Sequence, residues 1–349
     1  MLLYIHIPYC DSKCHYCSFN SYVDKFETKE KYILALSKQL DYELERFQVE
    51  NGSIETVFIG GGTPSTVDPK LYEEIFAKLE GFLQKDAEIT TEANPNSATR
   101  DWLREMKNLG VNRVSFGVQS FDDEKLKALG RRHNQATAIK SLKSARSVGF
   151  ENFSLDLIYN YKSDSREILS RDIDLALELG VTHISAYELT IEDGTKFSST
   201  PEVAKKDDSL AKFVARKIED GGLKQYEVSN FGKISKHNLG YWELKNYIGV
   251  GAGAVGFLRD FRIYPTTSIE RYIKNPTKTA IEQLSQKDLT TERIFLGLRS
   301  CVGVDLDLIS KQNQDRVKIL EDEGKIELKN GKIYNKELFL ADEVALFLM

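Results

Sequence analysis

The chain has 349 residues, 41% of them hydrophobic and 29% charged, with a formal net charge of -5. That length suits one large domain with an appendage, and the composition is that of a globular protein with a sizeable core. The mild acidity excludes a broad basic field for non-specific nucleic-acid binding, and no uncharged apolar run approaches the roughly eighteen residues of a membrane span.

The first strand candidate, Leu2–Pro8 (LLYIHIP), runs directly into YCDSKCHYCSF. That stretch sets Cys10, Cys14 and Cys17 in a C-x-x-x-C-x-x-C spacing and puts Phe19 where a fourth cysteine could stand. Three clustered cysteines and a distant Cys301 make a poor disulfide framework. With no basic flank, apolar segment and cleavage site at the N-terminus, a reduced, cytoplasmic protein with metal-binding cysteines is expected. Two metals are open at this point. Zinc would need His15 or His6 as a fourth ligand, and structural zinc sites usually add a second pair elsewhere and close all four positions. A [4Fe–4S] cluster suits the solitary knuckle better, because three thiolates leave one iron free for a small molecule.

Beyond the knuckle, Thr28 is placed to cap a helix whose apolar face carries Tyr32, Ile33, Leu36, Leu40 and Leu44. Further strand candidates are Thr56–Gly60, Glu88–Ala93, Arg113–Gln119, Phe153–Tyr159 and His183–Thr190, short and rich in β-branched and aromatic residues. Helical periods occupy 68–84, 98–109, 123–129, 134–147 and 164–179, with Gly110, Gly149 and Gly180 as stops after three of them. Six βα units in succession predict a parallel sheet with right-handed crossovers, which stops short of an eight-fold barrel. The expected fold is therefore α/β, an open three-quarter (β/α)6 barrel with its chemistry at the C-terminal ends of the strands.

The character changes after residue 265. Helical patterns at Thr291–Leu298 and Leu306–Glu323 precede KIELKNGKIYN, a hairpin with Asn330-Gly331 as its turn. Residues 1–265 are read as the barrel with its extension, and 266–349 as a small α+β, winged-helix-like appendage. Its helix is rich in acid, so it is expected to pack or to act as a lid, and no nucleic-acid partner is expected. GAGAVG (Gly251 to Gly256) fits G-x-G-x-x-G, but a strand and Pro265 follow it where a dinucleotide site needs a helix. Its backbone is expected to wall the pocket instead, and Cys301 to be a buried small side chain.

The knuckle, together with FIGGGTPS (Gly60, Gly61, Gly62, Thr63, Pro64) after the second strand, resembles the radical S-adenosylmethionine (SAM) superfamily. Three glycines let backbone approach a ligand with no side chain in between. The resemblance implies that the open iron chelates SAM and that an electron from the cluster can cleave its sulfonium C–S bond. TEANP, RVSFGVQSF, LGRRH, LDLIY, YEVSNF and HNLGYW narrow it to the branch containing oxygen-independent coproporphyrinogen III oxidase and the heme chaperone HemW. The match covers nearly the whole chain.

On that resemblance, Tyr4, Gly61 and Glu92 contact SAM at the cluster. Tyr16, Gly62, Thr63, Gln119, Arg131 and Asp156 match positions that hold a second SAM in the oxidase. A strand-end cap for Asp156 and a surface ion pair for Arg131 are the structural alternatives. The oxidase carries a further cysteine where this chain has Phe19, and that difference, with H-N-x-x-Y-W, resembles HemW. His237, Asn238, Tyr241 and Trp242 are then implied in heme binding, although by residue type alone they read as a satisfied loop histidine among core aromatics. One departure falls after DLIY, where Asn160, Tyr161 and Lys162 replace the family's Gly-Leu-Pro and alter the expected pocket rim.

The implied function is a heme chaperone that binds heme, a [4Fe–4S] cluster and SAM. Its partners would be heme-accepting proteins, membrane-bound ones among them, and an electron donor if SAM is cleaved. The alternatives are a radical-SAM enzyme acting like coproporphyrinogen III oxidase and a non-catalytic module stabilised by its cluster or by zinc.

Overall fold

The computed structural model describes all 349 residues. Six parallel strands lie side by side in chain order: β1 (Leu2–Ile7), β2 (Ile54–Gly61), β3 (Leu83–Ala93), β4 (Arg113–Gln119), β5 (Phe153–Tyr159) and β6 (His183–Glu188). Their apolar runs are buried on nearly every residue, as parallel strands covered on both faces require. The crossovers hold α1 (Lys29–Arg46), α2 (Glu73–Leu79), α3 (Arg100–Asn108), α4 (Asp123–Ala128), α5 (Gln135–Ser147) and α6 (Arg166–Glu178).

The predicted apolar face of α1 is buried as expected. Thr28 does not cap that helix through its side chain; its hydroxyl donates to Lys25 O at 2.7 Å and pairs with Tyr9 OH at 2.8 Å. The helix expected to reach residue 84 ends at Leu79, and β3 begins at Leu83, where it pairs with Ile54 of β2.

The sheet continues at both edges. After α7 (Asp208–Asp220), β7 (Asn230–Gly232) joins β6 antiparallel. Past α8 (Lys236–Trp242), β8 (Tyr247–Val250) runs parallel to β1 on its other side. A meander follows through β9 (Gly256–Leu258), β10 (Phe261–Pro265) and β11 (Thr279–Gln283), with α9 (Ile269–Lys274) before the last strand. The result is one eleven-stranded sheet that curls into an open barrel without closing. The division expected after residue 265 falls between paired strands β10 and β11, and α9 buries Ile269 and Tyr272 in the barrel core.

A second apolar cluster gathers residues from Ile294 to Leu348. It is built by α10 (Gln286–Leu298), β12 (Val304–Asp305), α11 (Gln314–Asp322), β13 (Ile326–Lys329), β14 (Lys332–Asn335) and α12 (Ala341–Leu348). The hairpin turns at Asn330 and Gly331, with φ of 53° and 76°, the conformation of a two-residue type I′ turn. The long helix expected over Leu306–Glu323 is confined to α11, because Ile309 and Ser310 are extended. Val228 N donates to Arg299 O at 2.9 Å, and an Arg262–Glu292 ion pair also ties the appendage to the barrel. No helix is long and apolar enough to cross a membrane.

This topology gives the barrel two unlike ends. The C-terminal strand ends, with the cysteine loop after β1, form a mouth. At the N-terminal ends α8 forms a floor: His237 meets Thr56 of β2 and its N–H donates to Glu88 Oε1 of β3, while Gly240 lies against Leu2 of β1.

Candidate cluster and cofactor site

The mouth encloses a cleft of about 450 Å³ lined by the cysteine loop, the Gly61–Thr63 turn and the ends of β3 to β6. Cys10, Cys14 and Cys17 are all free, partly exposed and in its wall. The loop that carries them is pinned at several points. Cys10 N donates to Tyr22 O at 3.0 Å, His15 N to Leu129 O at 3.0 Å and Cys17 N to Cys14 O at 3.2 Å.

Two sulfurs also accept side-chain hydrogen bonds, Cys10 Sγ from Thr63 Oγ1 at 3.4 Å and Cys14 Sγ from Arg131 Nη1 at 3.3 Å. Phe19 stands at the rim, 65% exposed.

The donor set discriminates between the two metals. No three His, Cys, Asp or Glu side chains gather closely enough to hold a single ion. Both candidate fourth ligands for zinc are engaged elsewhere. His6 is buried between Tyr4 OH at 2.9 Å and Asn20 O at 2.8 Å, and His15 Nδ1 bonds to Ala128 O at 2.8 Å. Three thiols spread around a roomy cleft, with no fourth protein ligand, fit a polynuclear cluster with one open position. Burial pushes the Cys10 and Cys17 thiols up, so a bound cation is what would make them thiolates.

The glycine turn is tighter than a ligand alone would require. Gly61 has φ +109°, and a Cβ there would overlap the His6 ring. A Cβ on Gly62 would lie 2.8 Å from Ile7 O and 2.9 Å from Tyr9 N. The space these glycines vacate is filled first by the chain's own β1 and the loop after it. Their backbone still serves the site, since Gly61 N donates to Glu92 Oε2 at 2.9 Å. Burial, with Asp156 nearby, pushes the Glu92 carboxyl up to about 8. Burial likewise raises Asp156 to about 6, against the pull of Ser185, Arg131 and Ser115. At neutral pH the two acids hold close to one proton between them.

Tyr16, Gly61, Gly62, Thr63, Glu92, Gln119, Arg131 and Asp156 all line the cleft with the three cysteines. Gln119 adopts φ 72° while buried at the end of β4, a strained conformation of the kind found at ligand sites. Tyr4 does not line the cleft; its hydroxyl bonds His6 and its ring packs near Phe58. Sequence reasoning missed Tyr187 and Glu188, which also line the cleft. Their signal was their place at the end of β6. It missed as well a polar inner cavity of about 220 Å³, where Arg113 and His183 share the lining with Glu92 and Asp156.

The residues implied in heme binding lie on the floor and none lines the cleft itself. Asn238 lines the inner cavity, but His237 is buried with both ring nitrogens taken, Nδ1 by Thr56 Oγ1 at 2.7 Å and Nε2 by Tyr241 OH at 2.9 Å. It stacks on Phe58, and burial lowers it to about 3. Trp242 is half-buried. In this conformation His237 is a satisfied core histidine, the reading that residue type alone gave it.

Three other expectations change. GAGAVG does not wall the cleft: Gly251 N donates to Gln39 Oε1 and Ala252 N to Tyr32 OH, each at 2.9 Å, so this turn packs on α1. The Asn160–Lys162 departure does not form the rim either. Tyr161 is buried, and Asp164 pairs at 2.7 Å with Lys125, both side chains fully enclosed. Cys301 is exposed rather than buried.

The model of the "Radical SAM superfamily" matches residues 4–176. Curated relatives include the heme chaperone HemW of Bacillus subtilis, 34% identical over 86% of this chain and 84% of its own length. HemW of Lactococcus lactis is 33% identical over 95% and 90%, and HemW of Escherichia coli 41% identical over 76% and 72%. Among solved structures, the radical SAM enzyme coproporphyrinogen III oxidase (HemN) of Escherichia coli covers 99% of this chain and 89% of its own, with a TM-score of 0.82 at 19% identity. That likeness establishes a shared fold. Identity above 30% across most of both lengths, on this barrel and with three cysteines at its mouth, makes the chain a member of the HemW family within the radical SAM superfamily.

Proposed function

We propose that this chain is a heme chaperone, one that binds heme, a [4Fe–4S] cluster and SAM and delivers heme to acceptor proteins. The reading is supported chiefly by relatives named for that role matching at 33–41% identity over 76–95% of this chain. Phe19 supports it over an oxidase role, because the resemblance that motivates the oxidase carries a further cysteine there.

Superfamily membership implies the cluster and SAM, and the cleft has the residues to hold both. Cys10, Cys14 and Cys17 would ligate the cluster, which when bound with SAM supplies one-electron chemistry at the sulfonium. The Gly61–Thr63 backbone and the Glu92–Asp156 pair would receive the polar end of SAM. With one proton shared between two carboxyls, that pair can donate to one group and accept from another. Gln119 and Arg131 narrow the cleft on the β4 side. For heme, His237, Asn238, Tyr241 and Trp242 are kept, with the condition that His237 must break its bonds to Thr56 and Tyr241 before its imidazole can reach iron.

Anaerobic reconstitution followed by heme titration tests the reading, with parallel assays for 5′-deoxyadenosine and for coproporphyrinogen III oxidation. Saturable heme binding without porphyrinogen oxidation is expected. Efficient oxidation, with heme held no better than by an unrelated protein, would reverse the assignment in favour of an oxidase.

A further inference from the structure

The three cysteine sulfurs sit in unequal surroundings. Cys14 Sγ accepts from a cation, Arg131 Nη1 at 3.3 Å. Cys10 Sγ accepts from a neutral hydroxyl, Thr63 Oγ1 at 3.4 Å. Cys17 has a main-chain partner at Phe19.

Arg131 is held in place from both sides. Its Nη2 donates to Gly117 O on β4. Its own turn is clasped to the cysteine loop, because His15 N donates to Leu129 O and Gly130, at φ +76°, lies directly against the His15 ring. The guanidinium therefore cannot withdraw from Cys14 without giving up its bond to Gly117 O, and the turn that carries it is itself fixed to the knuckle. Both terminal nitrogens are thus engaged by the protein, one on the sulfur and one on β4, while Nε is buried without a partner.

We propose that Arg131 sets the reduction potential of the cluster through the Cys14 thiolate, beyond any contact with SAM. This rests on the cluster reading of Cys10, Cys14 and Cys17. Reduction adds one electron, supplied by a low-potential one-electron donor, and no bond forms or breaks. A fixed positive charge and an N–H donor at a ligating sulfur stabilise the more negative, reduced state over the oxidised one, which raises the potential. A guanidinium stays protonated throughout the working pH range, so the contribution is independent of pH. Thr63 donates to Cys10 without a charge and contributes less. Lys13 also lines the cleft and its charge acts on Cys17, but Arg131 is the cation hydrogen-bonded to a cysteine sulfur, and it acts as a tuning residue rather than a catalytic one.

The test is a mediated redox titration followed by EPR on reconstituted protein without SAM, comparing wild type, R131Q, R131K and T63V. At the potential where wild type is half reduced, the oxidised-to-reduced ratio of R131Q is expected to rise about tenfold. R131K, which keeps the charge and loses the fork, should fall between wild type and R131Q, and T63V should shift less than R131Q. An unchanged midpoint in R131Q with a full cluster spectrum overturns the proposal, as does a T63V shift equal to that of R131Q. If R131Q loads no cluster, R131K decides: a lower midpoint supports the proposal and an unchanged one overturns it. Wild-type protein that forms no cluster at all would instead remove the reading of the three cysteines on which the proposal rests.

Discussion

The mouth and the floor of the barrel use the same kinds of residue in opposite ways. At the mouth, three free thiols face a cleft, Arg131 Nε is buried unbonded and Glu92, although bonded by Gly61 N, is driven up to about 8. On the floor His237 is more deeply buried, yet both its nitrogens are bonded and its ring is stacked. A buried polar group without a partner costs free energy that only a ligand can return, whereas a satisfied one already stabilises the fold. The mouth, with free thiols facing an open cleft, is thus where a cofactor has most to offer. The satisfied end must give something up before it can bind.

The comparison is tested most severely at the knuckle. Replacing Cys14 with Ala should abolish the broad visible absorption of the reconstituted protein, while Cys301→Ala should leave it intact. A full [4Fe–4S] spectrum in the Cys14 variant would show that the mouth does not hold the cluster through these thiols. Gly61→Val probes whether every mouth residue exists for the ligand. Its side chain would overlap His6 at a positive φ, so a stability loss of about 3–4 kcal/mol in urea unfolding of the apo-protein is expected. Wild-type stability together with weakened SAM binding would make this glycine a ligand residue after all.

His237→Ala attacks the floor. It removes a stacked ring and leaves Thr56 and Tyr241 without their shared partner, which should cost about 2–3 kcal/mol while cluster absorption stays normal. Heme titration of the same variant sharpens the comparison. Weaker binding supports a floor that opens to heme, and a curve superimposed on wild type confines His237 to structure.

The smallest effect is electrostatic. Because the folded carboxyl of Glu92 lies at about 8 against an ordinary 4.5, the folded apo-protein binds the extra proton between those values. Stability is then greatest below 4.5 and falls as pH rises through 8. Glu92→Gln should match wild type near pH 4.5 and exceed it in stability at pH 9. Parallel stability curves for the two proteins would place Glu92 in solvent rather than in a buried acid pair.

Much of the mouth is legible in the sequence, for two reasons. Cys10, Cys14 and Cys17 lie within eight residues of one another, so chain connectivity alone keeps them together. Glu92 and Gln119 fall at or near the ends of predicted strands, and a parallel barrel gathers such ends on one face; Asp156, mid-strand in β5, reaches the cleft from the barrel interior. The floor is not legible in the same way. His237 is satisfied by Thr56, 181 residues away, and no local spacing announces that pairing. A strand is legible after the G-x-G-x-x-G turn, where β9 and β10 lie, but β8 and β11 escape sequence reasoning because they are short and polar segments interrupt their pattern.

By itself, then, the sequence determined the order of βα units, the spacing of the thiols and the placement of glycine beside the second strand. These follow from periodicity and from contacts close along the chain. Only the tertiary structure decided that the glycines clear space for His6 and the β1 backbone, that Arg131 donates to Cys14, and that His237 closes the floor. Each of those depends on which polar atoms meet across long sequence separations, and burial makes such meetings obligatory without any local pattern specifying the partner.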